Sequence, residues 1–164
     1  MANHNPHADP LPPPTAGAAA PVVLVGIDGS QTSWCALSWA CGEARRLRGR
    51  AVAVFVSSSA GGGFPAAAFI GQAPFDCGWR DSAATERADA LRRELECYAA
   101  DLGVDLTFLH TDGDAASELL RLATALHADQ IVVGRSTKAR RHLAASLGCR
   151  LVGKREAPVV VVVP

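Results

Sequence analysis

Along this chain, short apolar runs rich in β-branched residues alternate with longer stretches whose apolar residues recur every three or four positions. Residues 21–27 (PVVLVGI), 51–56 (AVAVFV), 104–110, 130–133 and 158–163 are of the first kind and read as strands, buried on both faces where the run is continuous. The stretch 31–48 places Trp34, Leu37, Cys41, Ala44 and Leu47 on one side. Arg45, Arg46 and Arg48 gather at its end, where cations favour a helix terminus. Helical spacing returns over 81–103 through Ala84, Ala88, Leu91, Leu95, Tyr98 and Leu102, with Gly103 as the stop. It returns again over 114–127, with Leu119, Leu120, Ala123 and Leu126 facing inward. A fourth helix is expected over 138–155. Gly148 lies inside it, and a helical glycine costs about 1 kcal/mol relative to alanine. The alternative is a helix that begins only near Gly148, with 135–147 wrapping a phosphate as an ordered loop.

The order β-α-β-α-β-α-β-α-β predicts an α/β fold. It is a three-layer α/β/α sandwich around a five-stranded parallel sheet, Rossmann-like, with right-handed crossovers and helices on both faces. Ligands of such sheets bind beyond the carboxyl ends of the strands, where the strand order reverses. Residues 26–30, 56–58, 111–113 and 134–137 stand at those ends. One stretch, 57–80, breaks the rhythm with SSSAGGG and further glycine and proline. A loop of that length is usually a lid or disordered, and Phe64, Phe69, Phe75 and Trp79 hint at docking.

Composition narrows the function classes. Sixteen basic and sixteen acidic side chains cancel, so no global field draws the chain to nucleic acid or a membrane surface, and any anion site is local. Residues 1–20, with prolines at 10, 12, 13 and 14, are expected to form a disordered tail ahead of one domain over 21–164. The tail lacks the basic start and apolar core of a signal peptide. No apolar run is long enough to span a bilayer, so a cytoplasmic protein is expected. Five cysteines, at 35, 41, 77, 97 and 149, form no CxxC pair and match no zinc spacing. They read as small buried or half-buried residues of a reducing compartment.

Two segments could carry chemistry. Gly26-Ile27-Asp28-Gly29-Ser30 puts an acid and a hydroxyl between a strand tip and a helix, where they can cap the helix, bind a ligand, or both. Gly134-Arg135-Ser136-Thr137 follows strand four, with Lys138, Arg140, Arg141 and His142 close behind. Glycine there permits close backbone approach to a ligand, and helix N-terminal amides favour phosphate. No GxxxxGK[ST] loop, GxGxxG fingerprint or GxSxG elbow is present. Ser30, His110 and Asp112 have no spacing that selects them as a triad, and His110 is expected to end strand three.

The opening VVLVGIDGS, the Gly113-Asp114 turn, the segment ADQIVVGRST, Gly148 and the closing APVVVVVP together resemble the universal stress protein family, from about residue 21 to the C-terminus. The resemblance implies an adenine-nucleotide-binding regulator, not an enzyme, with ATP or AMP as ligand and Mg2+ as an optional companion. It implies Asp28 and Val56 on the adenosine side, Gly29 and Ser30 among the nucleotide-binding residues, and Gly134, Arg135, Ser136, Thr137, Arg140, Gly148 and Cys149 on the phosphate side. It also implies a homodimer paired through the last strand, Val159, Val160, Val161, Val162 and Val163. The sequence departs from the family's glycine loop, which reads Gly, two residues, Gly, nine residues, Gly, then Ser or Thr. Thr137 stands where the second glycine belongs, Gly148 arrives one residue late, and Cys149 replaces the closing hydroxyl. Threonine narrows the backbone approach and cysteine is a weaker donor, although Ser136, Thr137, Lys138, Arg140 and Arg141 offer replacement contacts. The alternative is a member that has lost the nucleotide and serves as a dimeric protein-interaction module.

Overall fold

The structure, a computed structural model, describes residues 20–57, 78–135, 146–154 and 157–164, with the backbone alone at 78–82. The elements in chain order are β1 (Val22–Gly26), α1 (Gln31–Leu47), β2 (Arg50–Ser57), α2 (Gly78–Leu102), β3 (Leu106–Asp112), α3 (Ala115–Leu126), β4 (Gln130–Gly134), α4 (Leu147–Val152) and β5 (Val159–Val163). The five strands form one parallel sheet in the order β3-β2-β1-β4-β5.

Alternation along each strand divides the core into two layers. Val23 and Val25 of β1, Ala51, Ala53 and Phe55 of β2 and Phe108 of β3 meet α1 and α2 on one face. Val22, Leu24, Val52, Val54, Leu109, Ile131 and Val133 meet α3 and α4 on the other. Helix α1 contributes Ala36, Leu37, Ala40, Cys41 and Ala44, the three- and four-residue spacing read from the sequence. The predicted three-layer sandwich is therefore present.

Three elements differ from expectation by more than one residue. Helix α2 begins at Gly78, before residue 81. Strand β3 starts at Leu106 and runs to Asp112, two residues later at each end than expected, because its polar end is paired: Ser57 stands opposite Asp112, and the buried Thr111 hydroxyl donates to Glu118 at 2.9 Å. The fourth helix does not run continuously over 138–155. Ser146 is extended (ψ 157°) and its hydroxyl caps the Cys149 amide, so α4 starts at Leu147 and ends at Val152. Gly148 is in its first turn, close to the alternative start. The tail over 1–19 and most of the expected loop (58–77) lie outside the described residues.

Of the described cysteines, Cys41 is buried, and burial pushes its thiol up to about 11, whereas Cys35, Cys97 and Cys149 are exposed, contrary to expectation. Among the described residues no helix is long and apolar enough to cross a membrane. Gly42 sits on the solvent side of α1, with nothing within 4 Å of where a Cβ would project. Gly42→Ala is therefore expected to stabilise the fold by about 1 kcal/mol, read as a higher urea midpoint at unchanged slope.

Candidate functional site

Strands β1 and β4 are neighbours, yet the chain leaves β1 toward β2 on one side and reaches β4 on the other. Their carboxyl ends form the switch point where the connecting segments diverge and leave a crevice. A cavity of about 260 Å³ occupies it. Its walls are Val54 and Val56 of β2, Ala115 and Leu119 of α3, Val133 of β4 and Leu147 of α4. Asp28, Ser30, Thr32 and Ser33 form its polar side, and Gly26 and Gly134 line it between. A mostly apolar hollow with a few convergent polar groups is the usual build of a small-molecule site.

The β1–α1 turn sets the polar side. The Asp28 carboxylate accepts from the Ser30 amide at 2.9 Å, and the Asp28 amide donates to the Ser33 hydroxyl at 3.3 Å. Gly29 takes φ +77°, a left-handed conformation that suits glycine. Ser30 is the N-cap of α1: its hydroxyl accepts from the Ser33 amide at 3.3 Å and lies 3.2 Å from the Thr32 hydroxyl. Capping and cavity lining thus fall to the same residues. Arg87 of α2 secures the turn from outside, donating to the Asp28 carbonyl at 2.6 Å.

The predicted residues separate into groups. Asp28, Ser30, Val56 and Gly134 are brought together in the cavity. Gly29 shapes the turn without lining it. Gly134 has a packing reason for being glycine: a Cβ there would lie 2.5 Å from the Thr32 carbonyl oxygen and 2.9 Å from the Ser33 nitrogen. The tip of β4 passes against the first turn of α1 through that gap. Gly148 lines no part of the cavity; a Cβ there would meet the Val162 Cγ2 at 2.7 Å, so its small size serves the contact of α4 with β5. Arg135 is exposed and its amide donates to the Val163 carbonyl at 2.7 Å, extending the sheet. Cys149 is exposed on α4. Ser136, Thr137 and Arg140 lie outside the described residues. Strand β5 is the sheet edge, with Val159 63% and Val162 47% exposed.

Sequence reasoning missed Thr32 and Ser33, whose hydroxyls follow the N-cap in the first turn, and the walls Ala115, Leu119 and Leu147. On the other sheet face the structure gives His110 and Asp112 a partner that sequence reasoning did not, Ser57 in place of Ser30. The buried Ser57 hydroxyl lies 2.9 Å from His110 Nε2 and donates to Asp112, while His110 stacks on Phe55 at 5.4 Å. Asp112 lies 3.8 Å from that same Nε2. A catalytic triad instead has its acid on the imidazole nitrogen remote from serine.

Asp114 caps α3 and accepts a two-oxygen contact from Arg150 at 2.7 and 2.8 Å. Hydrogen bonding by Arg150, then by the Ser117 amide, lowers its carboxyl from 3.8 to about 2. A folded value below the unfolded one adds stability that is present above about pH 4 and is lost as pH falls toward 2. Both partners are almost half exposed, so solvent screening limits the gain to less than ~1 kcal/mol. Urea unfolding of the wild type and Asp114→Asn is expected to show a gap at pH 6 that closes near pH 2.

The model of the universal stress protein family matches residues 21–163. No curated protein matches the chain. Among solved structures, the universal stress protein UspA from Lactobacillus plantarum superposes with a TM-score of 0.68 at 22% identity, over 90% of this chain and 100% of its own. A universal stress protein in complex with cAMP gives 0.63 at 22% identity, over 88% and 97%. A family protein from Arabidopsis thaliana with AMP bound gives 0.59 at 16%, over 88% and 92%. At these identities the likeness speaks for the fold. With a family match over residues 21–163, which takes in all five strands, the chain belongs to the universal stress protein family.

Proposed function

We propose that the protein is a regulatory module that binds an adenine nucleotide, ATP or AMP, and does not act as a catalyst. The observation that carries this reading is the cavity at the β1/β4 switch point, which gathers Asp28, Ser30, Val56 and Gly134. Its apolar walls suit a base and its hydroxyl-rich side suits a ribose. At about 260 Å³ it falls just short of the roughly 300–1,000 Å³ of complete ligand sites. It therefore takes the nucleoside and leaves the phosphates at the mouth, beside the free amides of the α1 N-terminus. Mg2+ would arrive with the phosphates of ATP. Two solved relatives were crystallised with AMP and cAMP, which lends support from the same fold.

A second reading has its own support. Gly134 and Gly148 are both explained by packing inside the chain, which weakens the glycine loop as a sign of phosphate binding. The exposed valine edge of β5 suits a homodimer acting as a protein-interaction module in a cytoplasmic setting.

Thermal unfolding with AMP, ATP and ATP plus Mg2+ separates the two. A ligand at one hundred times its dissociation constant adds about 2.7 kcal/mol to stability. The melting temperature is expected to rise accordingly, and the rise to vanish in Val56→Phe, which fills the cavity. No rise with any nucleotide would overturn the nucleotide reading and favour the interaction module.

A further inference from the structure

The ion pair between Arg150 and Asp114 has a place in the cavity as well as in stability. Ala115 directly follows Asp114, and Leu147 lies one turn before Arg150; both are cavity walls. The pair therefore spans the seam where α3 and α4 close one side of the hollow. Helix α4 has six residues, far too few to persist by its own propensity. It is held by the Ser146 cap, by fully buried Leu151, by the approach of Gly148 to Val162, and by Arg150 reaching Asp114. Of these ties, Arg150 is the one that fastens α4 to the start of α3, at the cavity's edge.

We propose that Asp114 and Arg150 are positioning residues for the ligand in this cavity: their ion pair holds the Leu147 wall against α3 and sets how tightly the cavity closes. The ligand's identity rests on the nucleotide reading, whereas the position of the wall does not. A ligand that touches Leu147 and Ala115 binds best when the wall is closed. Binding and α4 order must therefore favour one another to the same degree.

The test uses the full chain with Asp114→Asn, Arg150→Met, both together, and Arg150→Lys. Asparagine caps a helix about as well as aspartate, so the first variant removes the charge and keeps α3 capped. Methionine keeps an apolar stem. Exposed ion pairs are worth about 0.2–1 kcal/mol, so amide hydrogen exchange over 148–152 is expected to quicken up to about fivefold in each single variant. The double variant should show no further gain, and the Ser117 amide should stay protected in Asp114→Asn. The dissociation constant for AMP should rise by a similar factor in the single variants, with partial recovery in Arg150→Lys. Unchanged exchange over 148–152 would overturn the proposal, as would unchanged AMP affinity in the single variants if the wild type binds AMP. Quickened exchange in a protein that binds no nucleotide would remove the nucleotide reading and uphold the pair's hold on the wall.

Discussion

Gly134→Ala is expected to cost about 3 kcal/mol of stability, the upper end for overpacking a core. The added methyl would lie 2.5 Å from the Thr32 carbonyl oxygen, 2.6 Å from its carbon and 2.9 Å from the Ser33 nitrogen. All three are backbone atoms of the first turn of α1. That turn is held by the Ser30 cap and by the packing of Leu37 and Ala40 under the sheet, so it cannot step aside. Gly148→Ala provides the contrast. Its methyl meets a side-chain methyl of Val162, a half-exposed residue on the edge strand that can turn away, so the cost should be clearly smaller. Urea unfolding of both variants beside Gly42→Ala measures the series. Equal losses at 134 and 148 would contradict this account of Gly134.

The second large effect is expected at Leu119, which is 1% exposed and whose Cδ1 would lie 3.4 Å from a Cβ placed on Gly26. Truncating a buried leucine to alanine costs about 2–5 kcal/mol, rising with the void left behind. Here one flank of the side chain already borders the cavity, so the new space joins an existing hollow that water can enter. The loss should therefore fall at about 2–3 kcal/mol, the lower half of the range. Leu119→Ala also removes a wall against which the ligand packs. A folded variant is expected to bind AMP more weakly, in the same direction as Val56→Phe but through a cavity too wide instead of one too full. A loss near 5 kcal/mol would mean that Leu119 is enclosed by protein on every side.

Much of this was legible in the sequence, for definite reasons. Short apolar runs and three- or four-residue apolar spacing pointed to all nine elements, because strands covered on both faces and one-sided helices leave those two patterns. The Asp28-Gly29-Ser30 turn was legible because only a few residue types satisfy a left-handed bend followed by a helix cap. Strand β3 lies two residues later than its apolar residues suggest because its last rungs are polar, and Thr111 and Asp112 find partners outside the strand, Glu118 at the start of α3 and Ser57 on β2. The start of α4 was legible only as the alternative to a longer helix, through Gly148, since a serine cap inside an amphipathic stretch looks like any surface serine. The glycines misled in another way. A Gly at a strand tip signals close approach but does not name what approaches, and at 134 and 148 the neighbour is the protein itself. Arg87 and Arg150 were invisible as site residues because their partners, Asp28 and Asp114, are 59 and 36 positions away.

The account turns on whether a nucleotide enters the β1/β4 crevice. The most direct measurement is amide chemical-shift mapping by NMR as AMP, then ATP with Mg2+, is titrated into the full-length protein. Saturable shifts are expected, concentrated at Gly26 to Ser33, Val56, Ala115, Gly134 and Leu147. Saturable shifts elsewhere, or none at millimolar nucleotide, would contradict the account.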